Sequence, residues 1–76
     1  MNNDLIRKLD PQAKRLLYYL AQNKGQFIQA DAIPIIGMEE ARTVRVYVHR
    51  IREVLGKDCI RSARGYGYTF MGGGDL

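Results

Sequence analysis

Residues 42–70 read RTVRVYVHRIREVLGKDCIRSARGYGYTF. Val44, Val48, Ile51 and Leu55 fall at i, i+4, i+7 and i+11, the single apolar stripe of an amphipathic helix. Projected at about 100° per residue, Arg42, Arg45, Val46, His49, Arg50 and Glu53 lie on the other side, with Arg52 at the boundary. The spacing predicts a helix from about residue 40 to residue 55. Glu39 and Glu40 sit at its start, where acidic side chains favour the helix dipole. Gly56 ends the helix and Lys57-Asp58 turns the chain. Residues 59–63 and 66–70 then alternate as two strands of a hairpin, with Gly65 allowing the tight bend. The charge is concentrated here: residues 42–70 hold seven Lys/Arg against two Asp/Glu, whereas the remainder holds five against six. A basic excess confined to one segment is the footprint of a polyanion-binding face.

Upstream, Asp10-Pro11 predicts a helix start, Asp capping free backbone N–H groups and Pro fitting the first helical position. Ala13, Leu16, Leu17 and Leu20 share one face of that helix, Lys14, Arg15 and Gln22 lie off it, and Gly25 after Asn23-Lys24 is a stop signal. Leu5, Ile6 and Leu9 are placed to cover the helix end, as a short strand or as an extra turn, while residues 1–4 read as polar and loose. Gln26-Phe27-Ile28 is a short β-type run. Asp31 is expected to cap a short second helix through about Gly37, with Pro34 in its first turn. The order is therefore helix, strand, helix, helix, hairpin: an α+β winged helix-turn-helix of three helices, a small antiparallel sheet and a C-terminal β-hairpin wing. The expected organisation is an N-terminal extension over 1–8, the winged domain over 9–71 and a flexible glycine-rich tail over 72–76.

Seventy-six residues, 46% hydrophobic and 26% charged, make one globular domain, and a chain this short buries only roughly 60% of its unfolded surface. Cys59 is the sole cysteine, so no internal disulfide forms, which suits a reducing cytosol. With no long apolar run and no signal-peptide core near Met1, the expected location is cytoplasmic and no membrane partner is predicted. His49 and Cys59 fall short of the usual four zinc ligands. Gly65-x-Gly67 lies in a hairpin and opens no helix, so it is not a nucleotide fingerprint. No nucleophile, base and orienting group come together, and the one His lies on a basic helix face. The expectations are no enzyme, no cofactor, no metal and no small-molecule substrate.

The chain resembles the DNA-binding effector domain of response regulators of the OmpR/PhoB type, a bacterial family. The resemblance is carried by Arg42-Thr43-Val44 at the start of the recognition helix, Ile51-Arg52 later in it, and Arg64-Gly65-Tyr66-Gly67-Tyr68 in the wing. Leu9-Asp10-Pro11, Leu16-Leu17 and Gly25-Gln26-Phe27-Ile28 fit the family's first helix and following strand, so the match spans residues 9–70. It implies that Arg42, Arg45, His49 and Arg50 face the major groove or its phosphates. Arg52 and Thr43 hold the backbone, and Arg64 enters the adjacent minor groove. Ser62 stands where the family often has a phosphate-contacting Thr. Three departures accompany it. The family's N-terminal four-stranded sheet and phosphoacceptor domain have no counterpart here. The connection from Gly37 to Ala41 is shorter than usual, in a loop that can touch RNA polymerase. Arg45 stands where the family often has an acidic residue, which implies a different base sequence.

The chemistry agrees with that implication. Arg offers two donors matched to guanine O6 and N7, His49 donates or accepts, and Val46 fits a thymine methyl. Narrow A·T-rich minor grooves carry the negative potential that suits Arg64. Tyr66 either stacks or packs, whereas Tyr68, Tyr18, Tyr19 and Tyr47 read as packing. If about five phosphates are neutralised, log K falls against log salt with a slope near −4 to −5. The expected function is sequence-specific binding of double-stranded DNA by a small bacterial or phage transcriptional regulator, with tandem or two-fold pairing of copies. Two alternatives stay open: an architectural, excisionase-like protein that bends DNA, and a winged-helix interaction module acting on RNA polymerase or another regulator. In the last, the region around Tyr18-Tyr19, uncovered where the family has its sheet, is the expected contact.

Overall fold

Asp10 and Pro11 do what their chemistry predicts: Asp10 Oδ1 accepts the Ala13 N–H at 2.8 Å and Pro11 opens the helix. In the computed structural model, which describes residues 3–72, this helix is the second of three. The elements are α1 (Asn3–Ile6), α2 (Pro11–Gln22), a single 3-10 turn (Ala30–Ala32), α3 (Ala41–Leu55), β1 (Ile60–Ala63) and β2 (Gly67–Phe70). The fold is α+β, a winged helix. The reading of residues 1–4 as loose gives way at Asn3 and Asp4, which open α1; Met1 and Asn2, and residues 73–76 of the tail expected over 72–76, lie outside the described residues.

Two faces make the core. Ala13, Leu16, Leu17 and Leu20 of α2 meet Val44, Val48 and Ile51 of α3, and Ile60 and Phe70 of the hairpin close one end. Each fully buried aliphatic side chain contributes roughly 1.5–3 kcal/mol. Leu5, Ile6 and Leu9 resolve as helical rather than extended chain. Asn3–Ile6 is one α-turn, Lys8 and Leu9 N–H groups bond back to the Leu5 and Ile6 carbonyls, and Ile6 and Leu9 are buried. Of the tyrosines read as packing, Tyr19, Tyr47 and Tyr68 lie against the core, but Tyr18 is 45% exposed.

The helix expected from Asp31 to Gly37 does not form. It contracts to the 3-10 turn Ala30–Ala32, in which Asp31 is an interior residue and not a cap, and Pro34 follows the turn. Pro34 is the cause: it disfavours helical backbone at the residue before it, and Ile33 is extended at φ −77°, ψ 116°. The three α-helices among the described residues are α1, α2 and α3, the first being a short turn before α2. The chain then crosses to α3 through a loop pinned by Gln12, whose Nε2 donates to the Ile36 carbonyl at 2.7 Å.

The strands pair antiparallel, Ile60 with Phe70 through Ala63 with Gly67. The expected strand over 26–28 shrinks to one bridge, in which Ile28 and Tyr68 exchange N–H···O bonds of 2.7 and 2.8 Å. Just before β1, Cys59 is buried at 2% exposure, and burial pushes its thiol above the ordinary range against the opposing pull of Arg52. Native protein at pH 8 is therefore expected to resist iodoacetamide, with modification only in denaturant. Rapid mass gain of the native protein would contradict that burial.

Candidate nucleic-acid interface

What turns α3 into a platform is the way Arg52 fixes the hairpin to it. Arg52 is half-buried, and its Nε and Nη2 both donate to the Ile60 carbonyl, at 3.0 and 2.7 Å. Across the hairpin, Met71 N–H bonds to Cys59 O and Tyr66 N–H to Ala63 O. In an antiparallel ladder the groups of Ile60 therefore point outward, and the guanidinium caps an open edge. The task implied for Arg52, holding a nucleic-acid backbone, is thus joined by an internal one: two of its N–H groups hold this protein's own.

From that clamp the hairpin runs back toward the start of α3. Ala41, at the first turn, borders one open groove of about 590 Å³ with Ser62, Ala63, Arg64 and Gly65, while Gln29 and Asp31 form its far side. Arg45 precedes Arg52 by seven residues, which brings it back to the same flank within roughly 20° and about 10 Å nearer the start of the helix. It therefore lies on the hairpin side of α3. Thr43 is half-buried, and Val46 is 45% exposed on the outer face.

The wing tip is built as a turn. Tyr66 N–H reaches Ala63 O at 3.0 Å, Gly65 has φ +85°, and Arg64 is thrust into solvent beside it. A positive φ at the third turn position is what glycine supplies. Gln29 Nε2 donates to Gly65 O at 3.2 Å, and the rings of Phe27 and Tyr66 meet at 6.2 Å and 56°. The tip is thus braced by residues 27–29, while Tyr66 remains 67% exposed.

The candidate cations are not equivalent. Arg50 Nη1 bonds Asp10 Oδ2 at 2.6 Å, with its guanidinium carbon 5.0 Å over the Tyr47 ring. His49 Nε2 lies 3.3 Å from Glu53 Oε1. Arg42 has only a 4.0 Å approach to Glu40 between two well-exposed side chains, which is worth little. Arg45 and Arg64 have no carboxylate partner among the described residues. Uncompensated positive charge therefore collects at the start of α3 and at the wing tip. In the C-terminal half of the helix, His49 and Arg50 each stand beside a carboxylate, and Arg52 is engaged by the Ile60 carbonyl. Lys57 and Arg61 border a different groove, with Asp58, Ile60 and Met71.

Sequence reading missed Ala41 and Gln29 as neighbours of the wing, and Asp10 as a partner of Arg50. The His49–Glu53 pair, at i and i+4, was legible in principle; Asp10 and Arg50 are 40 positions apart and carry no local signal. No helix among the described residues is long and apolar enough to cross a membrane.

Comparison with known proteins agrees with this geometry. Residues 7–70 match the family model described as "Transcriptional regulatory protein, C terminal". The chain is similar to the transcriptional regulatory protein CrdR of Helicobacter pylori (strain ATCC 700392 / 26695), 38% identical over 65 residues. That alignment covers 82% of this chain but 30% of the relative, so the chain spans under a third of that protein's length. With the recognition-helix and wing motifs in their family order on a winged-helix frame, the chain belongs to the OmpR/PhoB-type family of C-terminal DNA-binding domains of transcriptional regulatory proteins.

Proposed function

We propose that this chain binds double-stranded DNA sequence-specifically, with α3 in the major groove and Arg64 in the adjacent minor groove. Arg42, Arg45, His49 and Arg50 face bases or phosphates, Val46 meets thymine methyls, and Thr43, Ser62 and Tyr66 make backbone contacts along the groove edges. The observation that carries this reading is the distribution of unbalanced charge. Of the candidate cations on the exposed face of α3 and in the wing, Arg42, Arg45 and Arg64 lack a close carboxylate; they stand near the start of α3 and at the wing tip, and Ala41 and Arg64 line one open groove between those two places.

Three uncompensated cations imply a smaller electrostatic term than the five suggested by the sequence. The slope of log K against log salt is expected near −3 for a random-sequence duplex. Arg64→Ala is expected to leave far-UV circular dichroism unchanged, make that slope shallower by about 1 and weaken binding roughly tenfold. Anisotropy titrations at several salt concentrations measure all three quantities. Binding indifferent to salt, or an Arg64→Ala variant matching wild type, would overturn the proposed docking.

A further inference from the structure

We propose that Asp10 is a specificity-determining residue: by balancing the charge of Arg50 it makes that side chain a reader of base edges rather than a general phosphate contact. The proposal rests on the DNA-binding reading above. Both carboxylate oxygens of Asp10 are committed, Oδ1 to the Ala13 N–H at 2.8 Å and Oδ2 to Arg50 Nη1 at 2.6 Å. On its other side Arg50 is held over the Tyr47 ring at 5.0 Å. The guanidinium is thus fixed from two directions while only one of its N–H groups is engaged, and its side chain stays 50% exposed. Lys8 and Glu53 border the same groove, with Leu9 and Val54 between them. Glu53 is itself taken up by His49.

The two modes of DNA contact respond differently to this arrangement. Counterion release counts net positive charge placed against phosphate, and a guanidinium that brings its own carboxylate adds almost none. Hydrogen bonding to guanine O6 and N7 depends on the direction of the N–H groups, and a guanidinium held in place by Asp10 and Tyr47 keeps that direction. Asp10 therefore lowers affinity for arbitrary sequence more than affinity for the correct site. Non-specific binding is the background against which any regulator must discriminate.

Asp10→Asn separates the charge from the cap, since Asn caps a helix about as well as Asp. Asp10→Ser is a second neutral cap that guards against a fault peculiar to Asn. A duplex selected by the wild-type chain from a randomised pool serves as specific probe, and the unselected pool as non-specific probe. Both variants are expected to melt near wild type. On the pool, their slope of log K against log salt should steepen by about 0.9. The ratio of selected to unselected affinity should fall roughly tenfold. Arg50→Ala is expected to lower the same ratio but, by leaving the Asp10 carboxylate uncompensated, to make the pool slope shallower rather than steeper. Equal changes on both probes, or an unchanged slope, would overturn the role of Asp10 while leaving DNA binding intact. Failure of the wild-type chain to bind either probe would overturn the DNA-binding reading and this proposal together.

Discussion

Gly67→Ala is expected to abolish the cooperative folding of this domain, although it adds one methyl group. A Cβ at this position would lie 2.5 Å from the carbonyl carbon of Ile28 and 2.7 Å from Gln29 Cα, and closer still to the Ile28 oxygen. These are backbone atoms and have no rotamer with which to yield. The only relief is to push residues 28–29 away from β2, which breaks both hydrogen bonds of the Ile28–Tyr68 bridge. It also loosens the brace that Gln29 gives the wing tip. Gly67 further sits at φ +100°, where a side chain costs about 1–2 kcal/mol. Two lost hydrogen bonds add about 0.5–1.5 kcal/mol each, before any repacking. A chain of this length has a total stability of only about 4–11 kcal/mol. Gly65→Ala is the control. It lies two residues away in the same motif at φ +85°, yet nothing lies within 4 Å of its added Cβ. Its cost is the conformational one alone, about 1 kcal/mol, or a melting point lower by about 4–8 °C. Thermal denaturation followed by circular dichroism separates the two. If Gly67→Ala melts within a few degrees of Gly65→Ala, the close approach of residues 28–29 to β2 is wrong.

The contrast between these glycines shows where the sequence was readable. The turn at Gly65 is a local event and its signal is local. The demand on Gly67 comes from a single-bridge segment nearly forty positions away, which no spacing rule reports. The same division runs through the rest of the molecule. Val44, Val48 and Ile51 announced α3 by period alone, and all three are buried. Asp10-Pro11 announced α2 by capping chemistry. The segment from Asp31 to Gly37 misled because Asp31 and Pro34 were each compatible with a helix start, whereas together they leave too few residues before Gly37 to pay for nucleation. At the interface, the residue types on the exposed face of α3 were legible from projection. Their electrostatic state was not, because Asp10 is brought to Arg50 by the packing of α2 on α3, and Ile60 to Arg52 by the return of the hairpin. Sequence thus supplied the set of cations; only the fold sorts those already compensated from those that are not.

That sorting makes Arg45→Glu the most consequential change at the surface. Arg45 is exposed, lies on the hairpin flank of α3 and has no carboxylate partner among the described residues. Reversal therefore breaks no hydrogen bond or ion pair among the described residues, and the melting curve should stay near that of wild type. Against the duplex selected by the wild-type chain, affinity is expected to fall roughly 100-fold, through loss of a contact worth about 1–3 kcal/mol plus repulsion between Glu and phosphate. The more telling measurement is a fresh selection from a randomised pool. An Arg aimed at the major groove pairs with guanine O6 and N7, whereas Glu accepts from cytosine N4. If Arg45 reads a base, the variant should select duplexes in which one guanine has become cytosine, with the other preferred positions unchanged. If Arg45 touches only phosphate, the variant should weaken on every sequence alike, recover the wild-type consensus and show a slope of log K against log salt shallower by about 1–2. The position of Arg45 two turns ahead of the Arg52 clamp, on the hairpin flank of α3, favours the first outcome. An unaltered consensus with uniformly reduced affinity would move Arg45 from base reading to backbone contact and leave Arg50 as the arginine of α3 placed to recognise guanine.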